Sequence, residues 1–326
     1  TSLSIPALDA FQRHLTPLDS PARFPSSLSR QYLAAVDPKF KCNVISLLPI
    51  DYELYLPGAL EKFPKVKRHV APVVCFANGT HDFFIGDAER FMLYLRQKWD
   101  YVDGTHAIFY ERAATMHMRG YMEKSGREFC EMEILIDEEE GAGDDDEEDD
   151  GKAKASARSE GKLVFELFTD VAPKTCENFK AFVLGGDERV GGRGYEGTPV
   201  SRTVRDGWIQ AGDVMNKGWG SGKISIYGET FPDEVLKVRH DKVGILSMVR
   251  MEKRDRNGCQ FFVAQCPLPF LDGQRVAFGR LIDGWRVMKV LNKLDAYHTY
   301  RPRRGVTIGK CAMITAPGPA EVQKEE

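Results

Sequence analysis

Residues 199–213 read PVSRTVRDGWIQAGD. One arginine, Arg202, stands among short apolar and polar residues. Gln210 follows further on, and Ala211, Gly212 and Asp213 form a small-residue corner. Outward from this stretch lie more short apolar runs, VGILSMV, QFFVAQ and RVAFGRL, separated by Gly, Asn and Asp turns. Upstream, residues 128–137 (EFCEMEILID) alternate apolar and polar with period two, which predicts a strand, and residues 163–168 return as another. Thr169 or Asp170 is expected to cap a helix with Pro173 in its first turn, running to about Leu184. Phe179, Phe182 and Val183 share its inner face, and Gly185 and Gly186 stop it. A second amphipathic helix is expected over 285–295, with Val287, Val290, Leu291 and Leu294 inward, and a last strand over 306–314. Many strands with two helices in this order suit a closed antiparallel barrel with a helix at each end.

Six segments carry a resemblance: LVFELFTDVAPKTCENFKAF (163–182), the opening stretch, SIYGETFPDE (225–234), GILSM (244–248), NGCQFFV (257–263) and FLDGQRVAFGRL (270–281). In this order and at these spacings they resemble the cyclophilins, the peptidyl-prolyl cis-trans isomerases. VRDGWIQAGD, with Arg301-Pro302 near the end, is most similar to the subfamily called peptidyl-prolyl isomerase-like 6. The resemblance implies an α+β chain. An eight-stranded antiparallel cyclophilin-like β-barrel with two capping helices would occupy 126–316, with a small α/β domain before it at 41–125.

Residues 1–40, rich in Ser and Pro, read as an irregular arm with one short helix at most. In the small domain, NVISLLPI and PVVCF (72–76) are expected strands, Asn78-Gly79 a hairpin turn, and FFIG the returning strand. Asp87 then caps a helix carrying Phe91, Leu95 and Trp99 at helical spacing with Tyr94 beside them. This order resembles the second half of a thioredoxin or glutaredoxin fold. Thiol exchange needs two thiols within bonding reach, and Cys42 and Cys75 are far apart in sequence with no neighbouring cysteine. A binding or packing module is therefore expected here. Residues 103–126 read as a connector, in which Met116-His117-Met118 suits packing better than a soft-metal site.

At 326 residues and 42 % hydrophobic content the chain has the bulk for two cored domains. The formal charge of −3 is uneven: residues 138–150 are dense in acid and the remainder is net basic. Residues 138–160 hold almost no apolar content, so they are expected as a disordered insertion at a hairpin tip. No EF-hand spacing is present, and GWGSGKIS (218–225) fails as a P-loop because Ile224 stands where Ser or Thr is required. No metal, cofactor or nucleic acid is expected. The seven scattered cysteines show no C-x-x-C pair, which predicts reduced thiols in a cytosol-like compartment. No apolar run spans a bilayer and the first residues lack an apolar signal core, so no membrane partner is expected. Residues 317–326 read as a polar tail.

Rotation about a peptide bond costs about 18–20 kcal/mol, while the two X-Pro isomers differ by only about 0.5–1 kcal/mol. A catalyst needs no covalent step; it must grip the proline and favour the twisted state. The resemblance gives this role to Arg202, whose guanidinium is always charged and offers a planar fork of donors. Phe262 and Leu271 match the family's ring-pocket positions. Gln210 and Gln260 match those that orient the arginine and bond the peptide main chain.

The departures are specific. Gly207 falls where a pocket Phe is usual and Trp208 where Met is usual, so Trp208 is expected to fold over and replace the ring. Phe270 replaces a Trp and its indole donor, which implies weak binding of cyclosporin-type ligands. Arg275 stands for a His, Val249 and Arg250 for a small residue and an Asn, and Ser201 for a His.

The expected function is isomerisation of X-Pro bonds in proteins, at a reduced rate. The alternative is a weakly active or inactive scaffold barrel in a larger assembly, reached through the arm and the front domain. The subfamily resemblance points that assembly toward motile cilia.

Overall fold

The computed structural model describes residues 8–14, 42–47, 73–77, 83–86, 88–100, 107–138, 157–215, 220–250 and 255–314, with single positions between 55 and 63. The chain divides into two compact units, Thr1–Tyr121 and Met122–Glu326.

The first unit holds four strands, β1 (Leu8–His14), β2 (Cys42–Leu47), β3 (Val73–Ala77) and β4 (Phe83–Gly86), in the order β2-β1-β3-β4. β1 runs parallel to β2 and antiparallel to β3, and β3 pairs antiparallel with β4. Helix α1 (Ala88–Trp99) follows, with Leu95 fully buried. Two expectations are corrected here. The arm is not irregular throughout, because Leu8–His14 forms a central strand. The connector is helical as well: α2 covers Ala107–Ser125. Met116 is 73 % exposed while Met118 is half-buried, so the trio does not converge on one point. The expected Asn78-Gly79 turn lies outside the described residues.

The second unit is an eight-stranded antiparallel sheet. Its strands are β5 (Glu128–Asp137), β6 (Ala157–Leu167), β7 (Arg202–Val204), β8 (Trp208–Ala211), β9 (Ile245–Arg250), β10 (Asn257–Ala264), β11 (Ala277–Asp283) and β12 (Val306–Ile314). They follow one another as β12-β5-β6-β11-β9-β10-β8-β7. The segment just before β7 joins the two edge strands: Val200 N–H donates to Val306 O and Ile308 N–H to Thr198 O, each at 2.8 Å. Period-two alternation sends Cys130, Met132, Ile134 and Ile136 of β5 inward. β5 and β6 pair from Glu128↔Leu167 to Asp137↔Ala157. The expected insertion at 138–160 is therefore too long at its far end: residues 157–160 belong to the strand, and Ser159 donates to Glu133 (2.6 Å).

Helix α3 (Pro173–Leu184) packs on β10 and β12, and α4 (Trp285–Lys293) on β6 and β7. Phe179 of α3 contacts Tyr195, Phe261 and Phe278 at ring-centroid distances of 5.0–5.2 Å, which makes an aromatic centre for the core. Neither Thr169 nor Asp170 caps α3; the N-cap residue is Ala172. Glu234 does the work from outside, accepting from Lys174 N–H (3.0 Å), Thr175 N–H (2.8 Å) and Thr175 Oγ1 (2.9 Å). A carboxylate there satisfies the free N–H groups of the first turn and faces the positive end of the helix.

Candidate functional site

Residues directly opposite one another on antiparallel strands put their side chains on one face. The register Arg202↔Gln210↔Phe262↔Ser247↔Ala277 therefore forms a single row across β7, β8, β10, β9 and β11. Their neighbours Ile209, Ala211, Phe261 and Met248 point the other way, into the core. Arg202 opens β7 and is exposed, while Gln210, Phe262 and Ser247 are buried.

The two glutamines are tied together. Gln210 Nε2 donates to Gln260 Oε1 (2.8 Å), and Gln260 Nε2 donates to Gly222 O (3.1 Å). Gln210 makes no hydrogen bond to Arg202, so the expected orienting contact is replaced by a glutamine pair. Gly220, in the left-handed region at φ 71°, lies over this pair: a Cβ there would sit 3.6 Å from Gln210 Nε2 and 3.7 Å from Gln260 Oε1. The loop holding Gly220 and Gly222 is anchored by the buried carboxylate of Asp213, which accepts from Ser221 N–H (3.0 Å), Gly222 N–H (3.2 Å) and Met215 N–H (3.1 Å). Ser221 and Gly222 of the glycine-rich stretch thus close on an internal carboxylate.

Phe262 is held from both sides. Trp208 meets its ring edge-on at 6.3 Å, and His240 stacks on it at 6.0 Å and 15°. His240 Nε2 lies 3.0 Å from Ser247 Oγ, and Nδ1 lies 3.3 Å from Asp272 Oδ1, which also accepts from His240 N–H (2.7 Å). The order Ser–His–Asp is that of a nucleophile, base and orienting acid. Here Ser247 and His240 are both 0 % exposed, so no substrate reaches the hydroxyl and the trio acts as a brace. Burial pushes the His240 imidazole below its ordinary value, with Asp272 opposing. Asp272 is held low, first by the His240 backbone N–H.

Asp272 ends the short 3-10 turn Pro269–Leu271, which is also tied back by Leu268 N–H donating to His240 O (2.6 Å). That turn carries Phe270, 60 % exposed, and the half-buried Leu271. Gln274 Nε2 donates to Phe270 O (2.7 Å). Arg250 and Arg275 each donate to Gln274 O, at 3.2 and 3.1 Å. Val249 is half-buried at the end of β9, two residues beyond Ser247 and on the same face by the strand pleat.

The register thus unites Arg202, Gln210, Trp208, Gln260, Phe262 and Val249 on one face, and the 269–275 segment brings Phe270, Leu271 and Arg275 with Arg250. His240, Ser247, Asp272 and Asp213 escaped the sequence reading. Apart from Met215, two residues from Asp213, their partners lie 7 to 32 residues away, and only the isolated polar residue beside an apolar run, as in HDKVGILSM, hints at them. Among the described residues no group of three His, Cys, Asp or Glu side chains could hold a metal ion, and no helix is long and apolar enough to cross a membrane.

This barrel, with an arginine in one row with a braced phenylalanine two strands away, belongs to the cyclophilin-type peptidyl-prolyl cis-trans isomerase family. The family described as "Cyclophilin type peptidyl-prolyl cis-trans isomerase/CLD" matches residues 153–313. The chain is similar to the Bos taurus protein named "Probable inactive peptidyl-prolyl cis-trans isomerase-like 6", at 34 % identity across 83 % of this chain and 81 % of that one. It is also similar to "Peptidyl-prolyl cis-trans isomerase H" of Mycosarcoma maydis, at 39 % identity across 46 % of this chain and 96 % of the relative. A solved cyclophilin-type isomerase of Cryptosporidium parvum is 30 % identical, with a TM-score of 0.45, covering 57 % of this chain and 98 % of its own.

Proposed function

We propose that the barrel isomerises X-Pro bonds in protein segments, at a rate lowered by its altered pocket. The observation that carries this reading is the row Arg202–Gln210–Phe262, with Arg202 exposed at one end and a buried, doubly held aromatic ring two strands away on the same face. The proline ring packs against Phe262 and Leu271. The guanidinium of Arg202 interacts with the amide nitrogen and carbonyl region as resonance is lost, favouring the twisted state over either planar one. No proton, nucleophile or metal takes part. Gln210 and Gln260, locked to each other and to Gly222, form a fixed polar wall beside the arginine.

A second reading, a scaffold barrel with little turnover, is favoured by Gly207. It leaves the family's usual ring position empty, and Trp208 covers Phe262 only at its edge. For the front unit we favour a thioredoxin-like binding module. The strand order β2-β1-β3-β4, with a parallel β1–β2 pair and the helix α1 after β4, supports this by adding a strand to the half legible in sequence. Assembly partners bound through this unit, a cytoplasmic setting and a place in the ciliary axoneme complete the reading.

An isomerisation assay on short X-Pro peptides tests it. Wild type turns over and Arg202→Ala loses about 10²-fold, as when one preorganised donor is removed from a transition state. Equal turnover by the two proteins would leave the scaffold reading.

A further inference from the structure

The two arginines at the end of the pocket segment are unusual. Arg250, from β9, and Arg275, from the segment before β11, both donate through Nη1 to one carbonyl oxygen, Gln274 O. Two guanidiniums on one acceptor repel each other. Burial first, and then the charge of Arg250, pull the Arg275 guanidinium below its ordinary value. Among the described residues no carboxylate lies within 4.0 Å of either. Asp233, the acid that acts on Arg275, already accepts from Asn257 Nδ2 (2.9 Å) and is faced by Asp255.

The pair also adjoins the segment that carries Phe270 and Leu271. Arg275 lies two residues before β11, whose Ala277 stands in register with Ser247 and Phe262, and its charge acts on His240, the ring stacked on Phe262. Gln274 is bonded to Phe270 O, which fixes both arginines to the segment carrying Phe270 and Leu271. Each guanidinium has five N–H donors and spends one on Gln274, leaving donors in fork geometry for an oxyanion. An anion between them removes their repulsion and adds its own bonds.

We propose that this groove selects X-Pro segments bearing an anionic side chain, carboxylate or phosphate, next to the proline, received by Arg250 and Arg275. This rests on the reading of the same groove as a proline site.

The test uses the full chain and peptides identical except at one position, which is Ala, Glu or phosphoserine. One set varies the residue before the proline and a second set the residue after it. Binding is read by fluorescence anisotropy at 50 and 500 mM salt. In at least one set an anionic peptide binds about tenfold tighter than its Ala counterpart, and the ratio shrinks at high salt. A gain for both Glu and phosphoserine assigns the site to any oxyanion; a gain for phosphoserine alone assigns it to phosphate. In the Arg250→Gln/Arg275→Gln protein the anionic-to-Ala ratio falls to near one, whatever happens to the Ala peptide. If Ala peptides bind, Arg202→Ala weakens them and the ratios are near one in both sets, the inference is overturned and the proline site stands. An unchanged ratio in the double variant overturns it too. If no peptide binds, the proline site falls and the inference with it.

Discussion

The imidazole of His240 lies flat on the ring of Phe262, 6.0 Å centroid to centroid and 15° from parallel. The ring that would receive a proline is thus backed by a titratable group. That group is bonded to Ser247 on one side and Asp272 on the other, and Arg275 and Asp241 also act on it. Its folded value lies below 6.5, chiefly through burial. Above about pH 6.5 both folded and unfolded imidazoles are neutral and pH has no effect through this group. Below it the unfolded chain binds a proton that the folded one refuses, so stability falls until the lower folded value is reached. Denaturant midpoints should drop between pH 7.5 and 5, and His240→Asn should flatten that slope. Asp272 acts in the same sense but in a lower window: its folded carboxyl is held below the usual 3.8, so its contribution is lost only in more acid solution.

Gln210 and Gln260 should behave as one unit. Each is buried, and the bond between them is 2.8 Å. Gln210→Leu or Gln260→Leu alone should cost about 1–3 kcal/mol, because a buried amide loses its partner. The double variant should cost less than the sum by about 0.5–3 kcal/mol. Additive losses in a denaturation cycle would show the two amides to be independent.

Gly207 is required by Val204. A Cβ at 207 would lie 2.8 Å from Val204 Cγ1 and 3.3 Å from Val204 O. Gly207→Ala should therefore destabilise by about 1–3 kcal/mol, and Val204→Ala in the same chain should recover part of it. An aromatic ring cannot be restored at 207 by a single change. Unfolding curves of wild type and the two variants decide this.

Glu234 should matter to a helix distant in sequence. Glu234→Ala removes all three bonds to the first turn of α3 and should cost about 1–2 kcal/mol. Glu234→Gln keeps an acceptor and should lose less. Equal melting temperatures for wild type and Glu234→Ala would rule out the remote cap.

Period and spacing settle what neighbours along the chain can do. Alternation in EFCEMEILID makes a half-buried strand, and the inward Val287 and Leu291 make α4 an amphipathic helix, because those periods depend only on local backbone geometry. Arg202, Gln210 and Phe262 were legible as a set because their spacing matched a known order. Strand β1 was not: LDAFQRH has no clean alternation, and its partners β2 and β3 lie in the segments 42–47 and 73–77. A strand whose pairing is that remote is decided by assembly of the sheet. The same holds for the brace behind Phe262, the carboxylate that caps α3, and the two arginines on Gln274 O. Each joins groups separated along the chain by loops, and only folding brings their polar atoms to hydrogen-bonding range, where burial obliges them to pair.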